Sequence, residues 1–496
     1  MTQGSRLKSM FRLRVSLAIL ALIATIAISD ARPVAAQPPT FYTGGDISLL
    51  TYMEQHGQIY RDGGQPEDAL KIFKDYGLNC MRLRLWVHPS HQGIFVNDLP
   101  YTIALGRRIK RAGFNLLLDF HYADSWADPG KQPKPAEWQN LAFPALVEQV
   151  KTYSRQVIAA MRKGGAMPDI VQVGNEITGG FIWPDGKLYP GSWDNFAALL
   201  KAGITGVKEG AKPAASPQIM IHIDRGGDSA GTRWFFDHLL EKGVDFDIIG
   251  ESFYPQFHGP LSQAVDTLRD TALRYKKPII VVEAGYPFQG TRWRGKAFTY
   301  PISPAGQRQF LIDLVEAVKQ TPNGLGRGVI WWAPEWVPMH GSGGWGGLTL
   351  FDEDGNALPG MAALAGLFGP NTPYQLVNRS TGKALSLTET GTGSAADRNP
   401  ADAFQQWEFK SDPSGQFRLY NLGYGHSLPA PAGSAGGSGD SAWDVVSAGN
   451  GYFRLIDAST HLALSADSDG ATALRKPGAS QDDEWQILPA SPEPGK

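Results

Sequence analysis

Two glutamates close apolar, β-type runs: Glu176 in IVQVGNEITGG (170–180) and Glu283 in IIVVEA (279–284). A carboxylate at the end of a buried strand must be paired, solvated or put to work. Two carboxyl groups on either side of a glycosidic bond are equipment for hydrolysing it: one protonates the leaving oxygen and the other attacks the anomeric carbon. Retention needs them about 5–5.5 Å apart, and roughly 6.5–9.5 Å favours inversion. Other apolar runs end on Arg82, Arg84, Trp86, His121, Asp124, Trp126, Asn175, His222, Asp224, Tyr254 and Trp332. The tryptophans offer flat apolar faces to sugar rings. Arg82, Arg84 and Trp86 alternate onto one face, and an arginine deep in a fold needs a carboxylate. Arg82 beside Glu283 would keep that glutamate ionised, so Glu283 is expected to titrate downward and Glu176 upward. A structural reading stands beside each: His121 as a satisfied core histidine, Tyr254, Trp126 and Trp332 as packing residues.

No metal or cofactor is expected. His222 and Asp224 lack the His-x-x-x-His spacing of the helix-borne zinc motif, and Asp119 and Asp124 do not form a twelve-residue calcium loop.

The elements that must position these residues alternate along the chain. Runs ending in 44–48, 80–86, 116–122, 171–176, 219–224, 248–254, 279–284 and 328–333 are separated by amphipathic segments such as PEDALKIFKDYG and AGQRQFLIDLVEAVKQ. Eight β/α units predict an α/β (β/α)8 TIM barrel over 37–368, with the site at the C-terminal ends of its strands. A doubly wound sheet would be favoured by a glycine-rich phosphate loop after the first strand, and GGDISLL has no GxGxxG.

The pattern stops at 366–373, taken as ending in a linker at 369–373. Residues 374–490 repeat three times: YQLVNRSTGKALSL, FRLYNLGYGHSLPA and FRLIDASTHLALSA open the units, and Trp407, Trp443 and Trp485 close them. The three tryptophans are expected to form a pseudo-threefold core. Residues 491–496 form a tail.

At the other end, Arg6, Lys8, Arg12 and Arg14 precede an apolar run from about Val15 to Ile28 and a Val34-Ala35-Ala36 cleavage site. This reads as a signal peptide over 1–36 and a secreted or periplasmic protein, the run being short of the roughly 20 residues of a spanning helix. Of 496 residues 42% are hydrophobic and 19% charged, and the net charge is -2, without the basic excess that binds nucleic acid or anionic membrane. Cys80 is the single cysteine, so no internal disulfide forms, and it reads as a small buried hydrophobe.

MRLRLWVHPSHQG, LLLDFHYADSWADPGKQ, DIVQVGNEITGG, GVDFDIIGESFYPQFHG, PIIVVEAGYP and WWAPEWVP, in order through 41–368, resemble glycoside hydrolase family 53, the arabinogalactan endo-β-1,4-galactanases. The resemblance implies a retaining mechanism on a β-1,4-galactan partner, with Glu176 as acid/base and Glu283 as nucleophile. It also implies Asn175 on the 2-hydroxyl of the attacked sugar, Tyr254 hydrogen-bonded to the nucleophile and Trp332 flooring the central subsite; Arg82, Arg84, Trp86, His121, Trp126, His222 and Asp224 complete the expected substrate-binding set. Two departures stand out. Strand eight reads WWAPEW where the family commonly has Tyr-Trp-Glu-Pro-Ala-Trp, and the loop from Pro287 to Tyr300, which holds calcium in some relatives, carries Arg292, Arg294 and Lys296 and no acid. The tail resembles the ricin-type β-trefoil, with Ser386 and Ser465 near the positions of the sugar-binding aspartate. A monomer is expected. Competing readings are a mannan, xylan or cellulose hydrolase of the same clan, and a non-catalytic polysaccharide-binding protein.

Overall fold

The computed structural model describes residues 40–189, 192–290, 298–338, 347–412, 415–431, 441–478 and 480–490. The signal-peptide reading of 1–36, the 491–496 tail, and Arg292, Arg294 and Lys296 lie outside the described residues.

Eight parallel strands close into a barrel: β1 (Tyr42–Asp46), β2 (Cys80–Leu85), β3 (Asn115–Phe120), β4 (Ile170–Val173), β5 (Gln218–Ile223), β6 (Ile248–Phe253), β7 (Ile279–Ala284) and β8 (Gly326–Trp332). Each pairs with the next, and β8 returns to β1 with Tyr42 opposite Gly328. Helices follow the strands: α1 (Ala69–Asp75), α2 (Leu99–Arg111), α3 (Phe143–Lys163), α4 (Trp193–Ala211), α5 (Ser229–Glu241), α6 (Leu261–Tyr275), α7 (Pro304–Lys319) and the short α8 (Gly360–Leu364). Local chemistry starts many of them. Asp68, Asp98, Ser192, Asp228 and Ser303 each cap a first turn, their side-chain oxygens accepting from backbone N–H groups two or three residues on. Among the described residues no helix is long and apolar enough to cross a membrane.

The strand alternation builds two cores. Outward side chains pack under the helices, while Cys80, Leu117, Ile170, Met220, Ile248, Ile280, Val282 and Ile330 plug the lumen. One step of two residues further along β2, β3, β4 and β5 come Arg82, Asp119, Gln172 and His222, a buried polar layer resting on that plug. Strand β7 breaks the alternation. Opposite β6 its register jumps from Glu251↔Val281 to Ser252↔Glu283, and this bulge turns Glu283 to the same side as Val282.

Beyond the barrel, ten strands from Tyr374 to Pro489 form one antiparallel sheet system that closes on itself where Tyr374–Asn378 pairs with Trp485–Pro489. Its threefold repeat is physical. Asn378, Asn421 and Asp457 each end the first strand of a unit, and each Oδ1 accepts from the backbone N–H groups two and three residues on. Trp407, Trp443 and Trp485 are fully buried, and two indoles donate to the equivalent carbonyls of Leu385 and Leu464.

The β region packs on the barrel's flank. Phe368 inserts between Phe417, Phe409 and Phe453, with ring centroids at 4.8, 5.1 and 6.4 Å. Arg308 of α7 lies 4.2 Å over the Phe417 ring and donates to the Gly415 carbonyl, and Lys71 of α1 donates to Asn450 at 2.8 Å. Phe368→Ala should empty a ring-sized volume at this junction and lower stability by about 3–5 kcal/mol; a urea melt that leaves the midpoint in place would show the junction to be loose.

Candidate active site

A cleft of about 480 Å³ opens at the C-terminal ends of the barrel strands, with Glu176 and Glu283 among its lining residues. Glu176 follows β4 with backbone φ 47°, in the left-handed region, directly after Gly174 and Asn175. A side chain at Gly174 (φ 92°) would meet Ile177 at 2.7 Å, so glycine there lets the chain turn tightly enough to present the carboxylate. Tyr122 after β3 and Ala333 after β8 also have positive φ, so three strand ends share this abrupt turn.

Arg82 is the centre of the polar layer. Its Nη1 lies 2.8 Å from Asp46 Oδ2 and 2.9 Å from Glu283 Oε1; its Nη2 lies 2.9 Å from Asp119 Oδ2 and 2.8 Å from Asn175 Oδ1. Its Nε donates to Gln172 Oε1 at 3.3 Å. One cation thus serves three buried carboxylates. Burial acts most strongly on Asp119, but Arg82 and then His121 overrule it and hold its carboxyl below the ordinary range. Glu283 behaves otherwise, and the expectation of a downward shift is corrected. Burial raises it, Arg82 pulls it down, and Asp119 and Asp46, sharing the same guanidinium, push it up again, so the balance lies above the ordinary range. Tyr254 Oη donates to Glu283 Oε2 at 2.9 Å. Glu176 stands well above the ordinary range, through burial first and then the charges of Glu283 and Asp224. The two glutamates titrate as an interacting pair in which Glu176 keeps the proton longer.

Arg84, Trp126, His121, Asn175, Asp224, Tyr254 and Trp332 line the cleft with the two glutamates. The Arg84 guanidinium lies 4.4 Å over the Trp126 ring, which stacks on Trp336 with 14° between planes. Two expected substrate contacts are corrected. Trp86 is fully buried beneath Trp126, edge-on at 5.2 Å, and His222 is fully buried behind Asn175 and Glu176; neither reaches the cleft. Asp119 and Asp124, whose spacing forms no calcium loop, have other partners. Asp119 belongs to the Arg82 cluster, while Asp124 accepts from the backbone of His88 and Ala136 and ties two loops together. No group of three or more His, Cys, Asp or Glu able to hold a metal occurs among the described residues.

Sequence reasoning passed over Asp46, Gln172, Ser252, Phe257 and Trp336. Asp46 and Ser252 stand at or next to strand ends in GGDIS and GESFY, and Gln172 is an inward polar residue between Val171 and Val173, so period two could have found them. Phe257, 61% exposed at the cleft, sits in a one-turn helix after β6 that carries no periodic signal.

The pattern of Glycosyl hydrolase family 53 matches residues 42–364, from β1 through α8. The chain belongs to glycosyl hydrolase family 53. Among family relatives, an uncharacterized protein of Niallia circulans from the bgaB 5′ region is 42% identical over 351 residues, covering 66% of this chain and 94% of that one. The arabinogalactan endo-β-1,4-galactanase A of Aspergillus niger is 34% identical over 319 residues, 62% of this chain and 89% of the relative. The Ignisphaera aggregans GH53 catalytic domain superposes with TM-score 0.62 at 35% identity, over 68% of this chain and 98% of that one. A structure of fungal β-1,4-galactanases superposes with TM-score 0.60 at 32% identity, over 65% and 98%.

The family-53 departure at strand eight has a definite structure here. Glu335 is buried, its Oε1 accepts from Leu49 N at 3.0 Å, and its Oε2 has no hydrogen-bond partner among the described residues. Burial, then Asp46, push its carboxyl up to about 8. The folded chain therefore binds a proton that the unfolded chain has released between the ordinary glutamate range and about pH 8, and stability declines through that window as pH rises. Glu335→Gln should match the parent near pH 5 and exceed it at pH 8. Urea midpoints at the two pH values check this, and an unchanged difference between them would show Glu335 to be ionised in the fold.

Proposed function

We propose that this chain is a secreted, retaining endo-β-1,4-galactanase acting on galactan or the arabinogalactan side chains of pectin. The observation that carries the reading is the paired carboxyls of the cleft, Glu176 bonded by Ser252 and pushed upward by burial, and Glu283 gripped by Arg82 and Tyr254. Glu283 attacks the anomeric carbon while Glu176 protonates the leaving oxygen; the bond to Glu283 removes a negative charge facing Glu176, which then takes a proton from the water that releases the sugar. Asn175 is suited to the 2-hydroxyl, since its Oδ1 is committed to Arg82 and one Nδ2 hydrogen to the Ala127 carbonyl, which leaves a second N–H. Trp126 and Trp332 supply stacking faces and Arg84 donors for hydroxyls. The choice of galactan over mannan or xylan is supported by the Aspergillus niger relative, an arabinogalactan endo-β-1,4-galactanase. Export is supported by the basic, apolar and small-residue order of 1–36. The region from Tyr374 is a ricin-type β-trefoil in this proposal, supported by its threefold repeat. Ser386 and Ser465, near the positions where such modules keep the sugar-binding aspartate, are buried.

Linear β-1,4-galactan should lose viscosity rapidly, with β-mannan and xylan untouched. Glu283→Gln should abolish turnover, and Glu176→Gln should cost about 10²–10⁴-fold. Proton NMR of the first products should show the β-anomer. Preferential cleavage of mannan or xylan, or an α-anomer first, would overturn the reading.

A further inference from the structure

Behind Glu176 lies a buried chain of hydrogen bonds that the mechanism above does not use. Ser252 Oγ lies 2.7 Å from Glu176 Oε1, and His222 Nε2 lies 2.8 Å from the same Oγ. Ser252 and His222 are both fully buried. Glu176 lines the cleft and Oε2 has no hydrogen bond among the described residues, which leaves it as the oxygen available to a substrate.

The direction of the chain follows from its far end. Gln172 Oε1 accepts from Arg82 Nε at 3.3 Å, which fixes the amide: one Nε2 hydrogen goes to Asp119 Oδ1 at 2.7 Å, and the other side of Nε2 faces His222 Nδ1 at 3.0 Å and the Gly174 carbonyl at 3.2 Å. The Glu176 backbone N–H also points at Nδ1, at 3.4 Å. Two donors converge there. Asn175 Oδ1, 3.1 Å away, already accepts from Arg82 and lies within reach of Gln172. Nδ1 is therefore the bare nitrogen, Nε2 carries the hydrogen and donates to Ser252 Oγ, and the hydroxyl has its own hydrogen free for Glu176 Oε1.

We propose that Ser252, oriented by His222, is a positioning residue that occupies Glu176 Oε1 as a donor and so holds the acid's proton on Oε2, the oxygen facing the glycosidic bond. An acid group has two oxygens, and only one is useful in a one-sided cleft. With Oε1 receiving a hydrogen bond, a proton there would clash with Ser252's own hydrogen, so protonation is directed outward in the first half-reaction and the same lone pair receives water's proton in the second. The proposal rests on Glu176 being the acid/base.

The test is the sign of a titration. The titratable and charged groups facing Glu176 are Glu283 on β7, Asp224 and His222 at the end of β5, Arg82 on β2 and Tyr254 after β6, and all stay in place in Ser252→Ala. Loss of a donor to the carboxylate should raise the Glu176 pKa by about one unit. The basic limb of kcat/KM on galactan should move up by the same amount, and Ser252→Thr, which keeps a hydroxyl, should restore it. Activity on galactan should fall further than on a dinitrophenyl β-galactoside, whose leaving group needs no proton. The reverse wiring, with Nδ1–H donating to Asn175 and Glu176 donating to Ser252, would move the limb down. A downward shift, or none, overturns the proposal. Carbon-13 NMR of the Glu176 carboxyl in the full chain reads the same shift without substrate, so a failed galactanase assay and a failed relay are distinguishable; Ser252→Thr controls for any loss of folding in the alanine variant.

Discussion

The guanidinium of Arg82 is the interaction on which the candidate site depends. A charge fully removed from water is tolerable only with compensating partners, and Arg82 has Asp46, Asp119 and Glu283 as counter-charges, with Gln172 and Asn175 as neutral acceptors. These residues come from β1, β2, β3, β4 and β7, so a single side chain ties five strands of the barrel into one electrostatic unit. The arrangement also sets the chemistry. Three acids share Arg82, with only Asp46 also reaching Arg84 at 3.7 Å, which leaves Glu283 partly compensated, and its residual charge is what helps hold the proton on Glu176.

Much of this was legible in the sequence because period two is local. Eight apolar runs separated by amphipathic segments describe a barrel, and Arg82, with Arg84 beyond it, can be read as inward from the alternation of a single strand. What was not legible was non-local. That Asp46 and Asp119 share Arg82 with Glu283 depends on the closure of β1 against β2 and of β2 against β3, and it reverses the expected direction of Glu283's titration. Trp86 and His222 were read as substrate contacts because they end strands, yet Trp126 on the following loop covers the first and Asn175 and Glu176 cover the second. Ser252 carries no charge and little volume, so period two marks it as inward but nothing in its own stretch of sequence points to Glu176 as its partner.

The flanking β region shows the same division. Its threefold repeat of turn-capping side chains and buried tryptophans is visible by aligning the chain with itself. Its seat on the barrel is not, since Phe368, Arg308 and Lys71 belong to the barrel side and meet partners some 40 to 380 residues away.

The bulge in β7 makes the length of that strand as consequential as its composition. Ile280 and Val282 face the lumen and so does Glu283, one residue out of step. A chain one residue shorter between Ile279 and Glu283 that kept the bulge would keep every hydrophobic residue type the strand needs and still pair with β6, but the carboxylate would then be aimed at the helices. A search for functional family members by residue identity alone would accept such a chain. Spacing along this strand, counted from the lumen plug, is the stricter criterion for separating chains that conserve the barrel from chains that conserve its second carboxylate.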